Sequence, residues 1–182
     1  MPIVVPEPPS FTVEAARRAL KLLIAEAAPK ARVYQSWVLK SQAYLGGDVA
    51  DLYGIEDDAQ KVHAWMVGVE TFDFVRGAGN EPPAIGGLEI DWLYDLAVWG
   101  FFDYKLGTTE ADSQDLVDRE VQKVAATIFA NKWLGLEDGP VPGLREVQPL
   151  WFPSIDVHPF GDGRDVHVAQ GKMRIRIQQT FS

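Results

Sequence analysis

The sequence predicts an α+β fold, a mostly antiparallel sheet of two hairpins with two main helices packed on it, in the order α-β-β-α-β-β. Two patterns in the 182 residues predict it. Apolar residues recur at helical spacing in two segments, and they alternate at strand spacing in four others that form two consecutive pairs. The predicted helices span 13–28 and 113–133, and the predicted strands span 61–75, 88–104, 147–158 and 165–180. The length suffices for one domain with its own core, which we place at 13–182.

The first helix has a start signal and a stop signal in the sequence. Thr12 is a favoured N-cap residue, and Glu14 in the first turn suits the positive end of the helix dipole. Pro29 ends the helix because it lacks the N–H group that would continue the hydrogen-bond pattern. The proline-rich residues 1–12 predict an extended tail.

The first hairpin contains the most informative segment, 88–104. One face of this segment stays apolar from end to end, while the other begins acidic and becomes apolar. At about 3.3 Å per residue the segment would span roughly 56 Å, far more than a typical strand. A strand of that length tends to extend beyond the core of its own domain, so we expect it to form a surface together with other copies of the chain. Its partner, 61–75, is apolar on both faces at its centre, which indicates that both faces are covered.

The connecting segments contain residues that favour turns. Glycine and aspartate predict a long loop at 40–60, and glycine and proline predict a hairpin tip at 76–87. Residues 32–39 form either a short strand or an irregular segment.

The second helix and the closing hairpin complete the predicted domain. Asp112 is the predicted N-cap, and acidic residues early with lysines late in 113–133 follow the order that the helix dipole favours. The closing hairpin turns at 160–163, a Phe-Gly-Asp-Gly sequence.

The charge and composition exclude several classes of function. The net charge is -9, and residues 1–45 carry +6 - 3 = +3, so the remainder carries -12. An acidic body repels phosphate backbones, which argues against tight non-specific binding of nucleic acid. The absence of cysteine excludes disulfides and thiolate metal sites. No apolar run reaches the ~18 residues of a membrane span, so we expect no membrane association.

No catalytic motif stands out, and we predict neither enzymatic activity nor a cofactor. Phosphate-binding loops of the GxxxxGK[ST] and GxGxxG types and a GxSxG nucleophile elbow are missing. The metal candidates are two Asp-x-His units that flank one turn, and they could converge across the hairpin on Zn, Mn or Fe. They are Asp156, His158, Asp165 and His167. The alternative, which we favour, is a solvated hairpin end; His63 is expected to be a half-buried structural residue.

Two rows of charged residues have complementary signs. An acidic row and the aromatic residues Trp99 and Phe101 share one face of 88–104, and a basic row lies on one face of 165–180. We hypothesise that the rows meet, either within one sheet or across a subunit boundary; the alternative is two unrelated solvated faces. The resulting candidates for a subunit interface are Glu89, Asp91, Asp95, Trp99, Phe101, Lys172, Arg174 and Arg176.

The element order over residues 13–181 resembles that of the tail-terminator (tail-completion) proteins of long-tailed bacteriophages and related neck proteins. The strand-then-helix unit LAVWGFFDYKLGTTEADSQDLVDREVQKVAATIF, at 96–129, is similar to that of the family. The closing segment HVAQGKMRIRIQQTF, at 167–181, fits the last strand of the same layout.

The resemblance implies a structural protein of the virion, present in the host cytoplasm during assembly. Its copies would form a homohexameric ring that terminates the tail tube and joins it to the head connector or stopper protein. Genomic DNA would pass through the ring without specific binding. Two alternatives stay open: another phage neck or tail component, and a small metal-dependent hydrolase or ligand-binding domain using the Asp-x-His units.

Overall fold

The computed structural model describes residues 12–35, 54–55, 58–76, 88–103, 110–134, 143–160 and 164–181. These residues form two helices and seven strands, so the α+β class is confirmed. In chain order the elements are α1 (Val13–Ala27), β1 (Arg32–Tyr34), β2 (Gly54–Ile55), β3 (Asp58–Arg76), β4 (Leu88–Asp103), α2 (Glu110–Ala130), β5 (Leu144–Val147), β6 (Trp151–Phe160) and β7 (Arg164–Phe181).

The seven strands form one mixed sheet. Its order is β1-β3-β4-β7-β5, with β2 also beside β3 and β6 also beside β7. Strand β1 runs parallel to β3, whereas all the other pairs are antiparallel. The predicted order α-β-β-α-β-β is therefore incomplete, because it omits β1, β2 and β5, although a short strand was one of the two alternatives for 32–39 and β1 confirms it at Arg32–Tyr34. These strands have two to four residues, too few to show an alternating pattern in the sequence.

Three long strands form the centre of the sheet. Strands β3, β4 and β7 contain 19, 16 and 18 residues. Strand β4 pairs along its whole length with β7, from Leu88 opposite Phe181 to Asp103 opposite Val166. On its other side β4 pairs with β3, where a bulge leaves Glu70 without a cross-strand partner between Val69 and Thr71.

Helix α1 begins as predicted. The Thr12 hydroxyl accepts a hydrogen bond from the Ala15 N–H at 3.2 Å, which confirms the N-cap. The helix ends at Ala27, where the N–H of Ala28 still donates to the Ile24 carbonyl. Its buried face consists of Ala16, Ala19, Leu20, Leu23, Ile24 and Ala27.

Helix α2 begins three residues before its predicted start. Because it starts at Glu110, Asp112 lies inside the first turn, and the prediction of Asp112 as the N-cap is wrong. Several acidic residues occur near this helix start, and each is compatible with the dipole, so they do not define the first residue. No helix in the described ranges is long and apolar enough to cross a membrane.

The two faces of the sheet carry separate apolar clusters. The main core lies between the helices and one face, and includes Trp65, Val67, Leu96, Val98 and Phe102. The opposite face carries a smaller cluster. It consists of Val62, Ala64, Met66, Val166 and Val168. The centre of β3 is thus buried on both faces, as its sequence indicates.

The closing hairpin differs from the prediction in its first strand. The predicted strand 147–158 is divided into β5 and β6, and both pair with β7. Pro153 and Pro159 lie in β6, a strand paired on one side by β7, where missing N–H groups are tolerated. The predicted turn at 160–163 lies outside the described residues except for Phe160.

Other predicted connections lie wholly or partly outside the described residues. The tail at 1–12 is described only at Thr12, and the hairpin tip at 76–87 only at Arg76. The predicted loop at 40–60 is wrong at its end, because β2 lies within it and β3 begins at Asp58.

Candidate interaction surface

The predicted interface residues on β4 and β7 occupy one face of the sheet. Asp95 is directly opposite Arg174, so their side chains point to the same side of the sheet. Alternation along β4 and β7 places the other predicted interface residues on that side too. Trp99 and Phe101 pack on the smaller apolar cluster, whereas both helices contribute to the main core on the other side. We call this surface the charged face; its members are Asp91, Asp95, Trp99, Phe101, Lys172, Arg174 and Arg176. The side chain of Glu89 lies outside the description, although its backbone pairs with Thr180.

The pair of Asp95 and Arg174 is the best-formed ion pair of the charged face. The guanidinium donates from Nε to Oδ1 at 2.6 Å and from Nη2 to Oδ2 at 2.9 Å, a two-pronged geometry. The Thr71 hydroxyl of β3 also donates to Asp95 Oδ2, at 2.8 Å. These hydrogen bonds, that from Arg174 above all, hold the pKa of Asp95 below its ordinary value.

Two further ion pairs extend the row. Arg176 Nη2 contacts Asp91 Oδ2 at 2.5 Å, and Lys172 Nζ contacts Glu70 Oε2 at 3.1 Å. The Asp91 side chain is 8% exposed and that of Arg176 40%, so this carboxylate depends on its partner more than the exposed Glu70 does.

The charged rows therefore meet within one chain, which was one of the three possibilities that the sequence left open. The contacts of Asp91 and Asp95 with Arg176 and Arg174 follow the hypothesis. The third basic residue, Lys172, instead contacts Glu70. The sequence reasoning missed Glu70 because it belongs to the β3 bulge, and no pattern in the sequence places that bulge. With three acids against three bases, these pairs are neutral together.

The other end of the charged face is aromatic. The rings of Trp99 and Phe101 lie 6.1 Å apart between centroids and are nearly parallel, at 28°. Both side chains are half-buried against Val62, Met66 and their neighbours. The change from charge to apolar character along β4 thus matches the sequence pattern.

An open groove of about 500 Å³ borders the charged face where β5 gives way to β6. Glu70, Lys172 and Arg174 line one side, and Pro149 and the exposed Trp151 line the other. No role could be assigned to Trp151 from the sequence, because the alternation of apolar residues does not show the interruption between β5 and β6. Trp151 is the first residue of β6 after this interruption.

The two Asp-x-His units do not converge. Asp156 and His158 lie opposite Val168 and Val166, on the charged face. Asp165 and His167 lie opposite Pro159 and Val157, so they point to the helix side of the sheet. The idea that the units face each other across the hairpin is wrong, since the register offsets them by one residue. In the described part of the chain no three His, Asp or Glu side chains are grouped to hold a metal ion.

His63 is more buried than predicted and contacts α2. Its Nε2 lies 2.6 Å from Oε1 of Glu120, and the Trp65 indole N–H donates to the same oxygen at 2.9 Å. The His63 ring also lies 5.5 Å from that of Phe102. These contacts fasten α2 to β3. The sequence identified His63 as structural but gave no sign of Glu120 as its partner.

Comparisons with known proteins add a distant likeness. No family model matches the sequence, and no curated protein matches it. Among solved structures, one chain from the virion of a native gene transfer agent particle is similar to this chain at 14% identity and a TM-score of 0.40. The match covers 91% of this chain and 94% of the other.

Proposed function

We propose that this protein is a structural protein of a phage-type virion and has no enzymatic role. In this proposal its copies form a ring, a hexamer, that terminates the tail tube and joins it to the head connector or stopper protein. The protein would reside in the virion neck after assembly in the host cytoplasm. The proposal starts from the resemblance of the element order and of segments 96–129 and 167–181 to tail-terminator proteins.

The observation that carries the proposal is the extension of the sheet beyond its own core. Strand β3 is buried from Val62 to Gly68 and exposed from Glu70 to Asp73, although it stays paired with β4 at Thr71, Phe72 and Asp73. A stretch of strand that is paired but exposed contributes little buried surface to the core of its own chain. It is what a subunit needs if part of its sheet contacts a neighbour.

The charge distribution supports a ring through which DNA passes. The chain carries a net charge of -9, and its largest row of basic residues is engaged by carboxylates of the same chain. Basic side chains held in this way are poorly available to the phosphates of DNA. The excess negative charge of the protein also repels these phosphates. DNA could therefore slide past such a subunit without adhering to it.

Mass measurement by light scattering, with and without assembled tail tubes, tests the proposal. We expect either a hexamer in solution or a monomer that becomes a ring on the tubes. Tubes already capped by bound terminator serve as the control, because they should recruit no further protein. A monomer that ignores open tubes would contradict the proposed function.

A further inference from the structure

An exposed aromatic side chain stands on the helix side of the sheet, next to the covered core. Phe72 of β3 is 66% exposed, and its ring lies 6.3 Å from that of Tyr94 on β4. Among the described strands, β1 and β2 pair with β3 only up to Met66, so none lies beside Phe72 on its outer side. Within the described part of the sheet, Phe72 thus projects at an edge.

An apolar groove occupies the opposite edge. It has a volume of about 440 Å³ and lies between the end of α2 and the segment that follows β5. Ile128 and Phe129 form one wall, Val147 and Pro149 the other, and Phe129 is 72% exposed. Lys132 also lines the groove, with its ammonium group 5.8 Å from the centre of the Trp133 ring.

The aromatic side chain and the groove lie at the same level of the sheet. Phe72 is paired with Tyr94, Tyr94 with Ile175, and Ile175 with Val147, which lines the groove. This row crosses β3, β4, β7 and β5 from one edge to the other, about 14 Å at the usual strand spacing. Because cross-strand partners point to one side, Phe72 and the groove are both on the helix side.

We propose that Phe72 of one copy of the chain inserts into the Phe129 groove of the next copy. A projection at one edge and a groove at the opposite edge, at one level, form a head-to-tail contact, the type that closes into a ring when the rotation between copies allows it. A partly exposed phenylalanine entering an apolar groove has the properties of an interface hot spot. The proposal rests on the proposed ring and identifies the contact that joins its subunits.

Complementation between two variants tests the contact. Phe72→Asp removes the projection and Phe129→Asp spoils the groove, so each variant alone should stay monomeric under the condition that assembles the wild type. Mixed together, the two variants retain one intact contact per pair, and the mass should double and go no further. The milder Phe72→Ser should raise the concentration for half-assembly at least about tenfold.

Leu22→Asp is the matched control, because Leu22 is 63% exposed on α1 and lies outside both sites. It should assemble like the wild type, and circular dichroism should show the same fold for all four variants. A wild-type mass for Phe72→Asp and Phe129→Asp, or a monomeric mixture, would overturn the contact and leave the ring intact. A wild type that never assembles would instead overturn the proposed function.

Discussion

At the scale of single residues, the charged face offers two ion pairs that differ in burial. Arg176 and Lys172 lie on the same face of β7, and each contacts one carboxylate. The carboxylate of Asp91 is nearly buried, whereas that of Glu70 is exposed. A buried charge that loses its partner keeps its desolvation penalty, while an exposed one is solvated by water. The two pairs should therefore contribute differently to stability.

We predict that Arg176→Met lowers the free energy of unfolding by about 1–3 kcal/mol, because Asp91 is left with an uncompensated charge. Lys172→Met should change it by no more than about 0.5 kcal/mol, since its pair with Glu70 is exposed. Urea denaturation of the two variants measures both effects. Equal losses would show that burial of the carboxylate does not govern the strength of these pairs.

At the scale of elements, Glu120 forms a polar link between α2 and the sheet. Its Oε1 lies within hydrogen-bond distance of His63 Nε2 and accepts the N–H of Trp65, and both rings are buried. We predict that Glu120→Ala destabilises the protein by about 2–4 kcal/mol, because two buried groups lose one acceptor. Glu120→Gln should recover part of this loss, since its amide oxygen can still accept a hydrogen bond.

Hydrogen exchange of α2 and chemical denaturation measure the effect of these Glu120 variants. Asp115→Ala, at an exposed position of the same helix, is the control and should leave the protection of α2 unchanged. If Glu120→Ala matched Asp115→Ala, the contacts with His63 and Trp65 would not hold the helix in place.

Elements with a strong local pattern were predictable from the sequence, and those defined by long-range contacts were not. The Thr12 cap and the long β4 follow from residues within each segment. Strand β1 exists through its parallel pairing with β3, which its three residues do not encode locally. Likewise, the positions of Asp156 and His167 depend on the register of β6 against β7. A shift of one residue there moves a side chain to the other face.

The candidate surface was predictable in its composition but only partly in its contacts. Alternation along β4 placed Asp95 and Trp99 on one face, and the structure has them so. The partner of Lys172 depends on a bulge, and the Phe129 groove depends on how α2 packs over β5. Both features arise from tertiary packing, which the residue pattern within one segment cannot predict.

At the scale of the whole molecule, the described ion pairs of the charged face lie within the chain. Lys172, Arg174 and Arg176 each contact a carboxylate of their own chain. If subunits were held by ion pairs between copies, salt would weaken the assembly, because exposed charges are screened within about 10 Å at 0.1 M salt. A contact made by Phe72 in an apolar groove responds in the opposite way to salts that strengthen burial, such as sulfate.

We therefore predict that the concentration for half-assembly changes less than about threefold between 0.05 and 0.5 M sodium chloride. Sodium sulfate should lower that concentration, since it favours burial of apolar surface. Light scattering across a dilution series measures both trends, and Phe72→Ser provides the control because its response to sulfate should be smaller. A steep loss of assembly in sodium chloride would mean that charges between copies hold the subunits together. Arg174 and Arg176 would then contact a neighbouring copy in addition to Asp95 and Asp91 of their own chain. The salt series therefore compares directly the charged face and the Phe129 groove as the contact between copies.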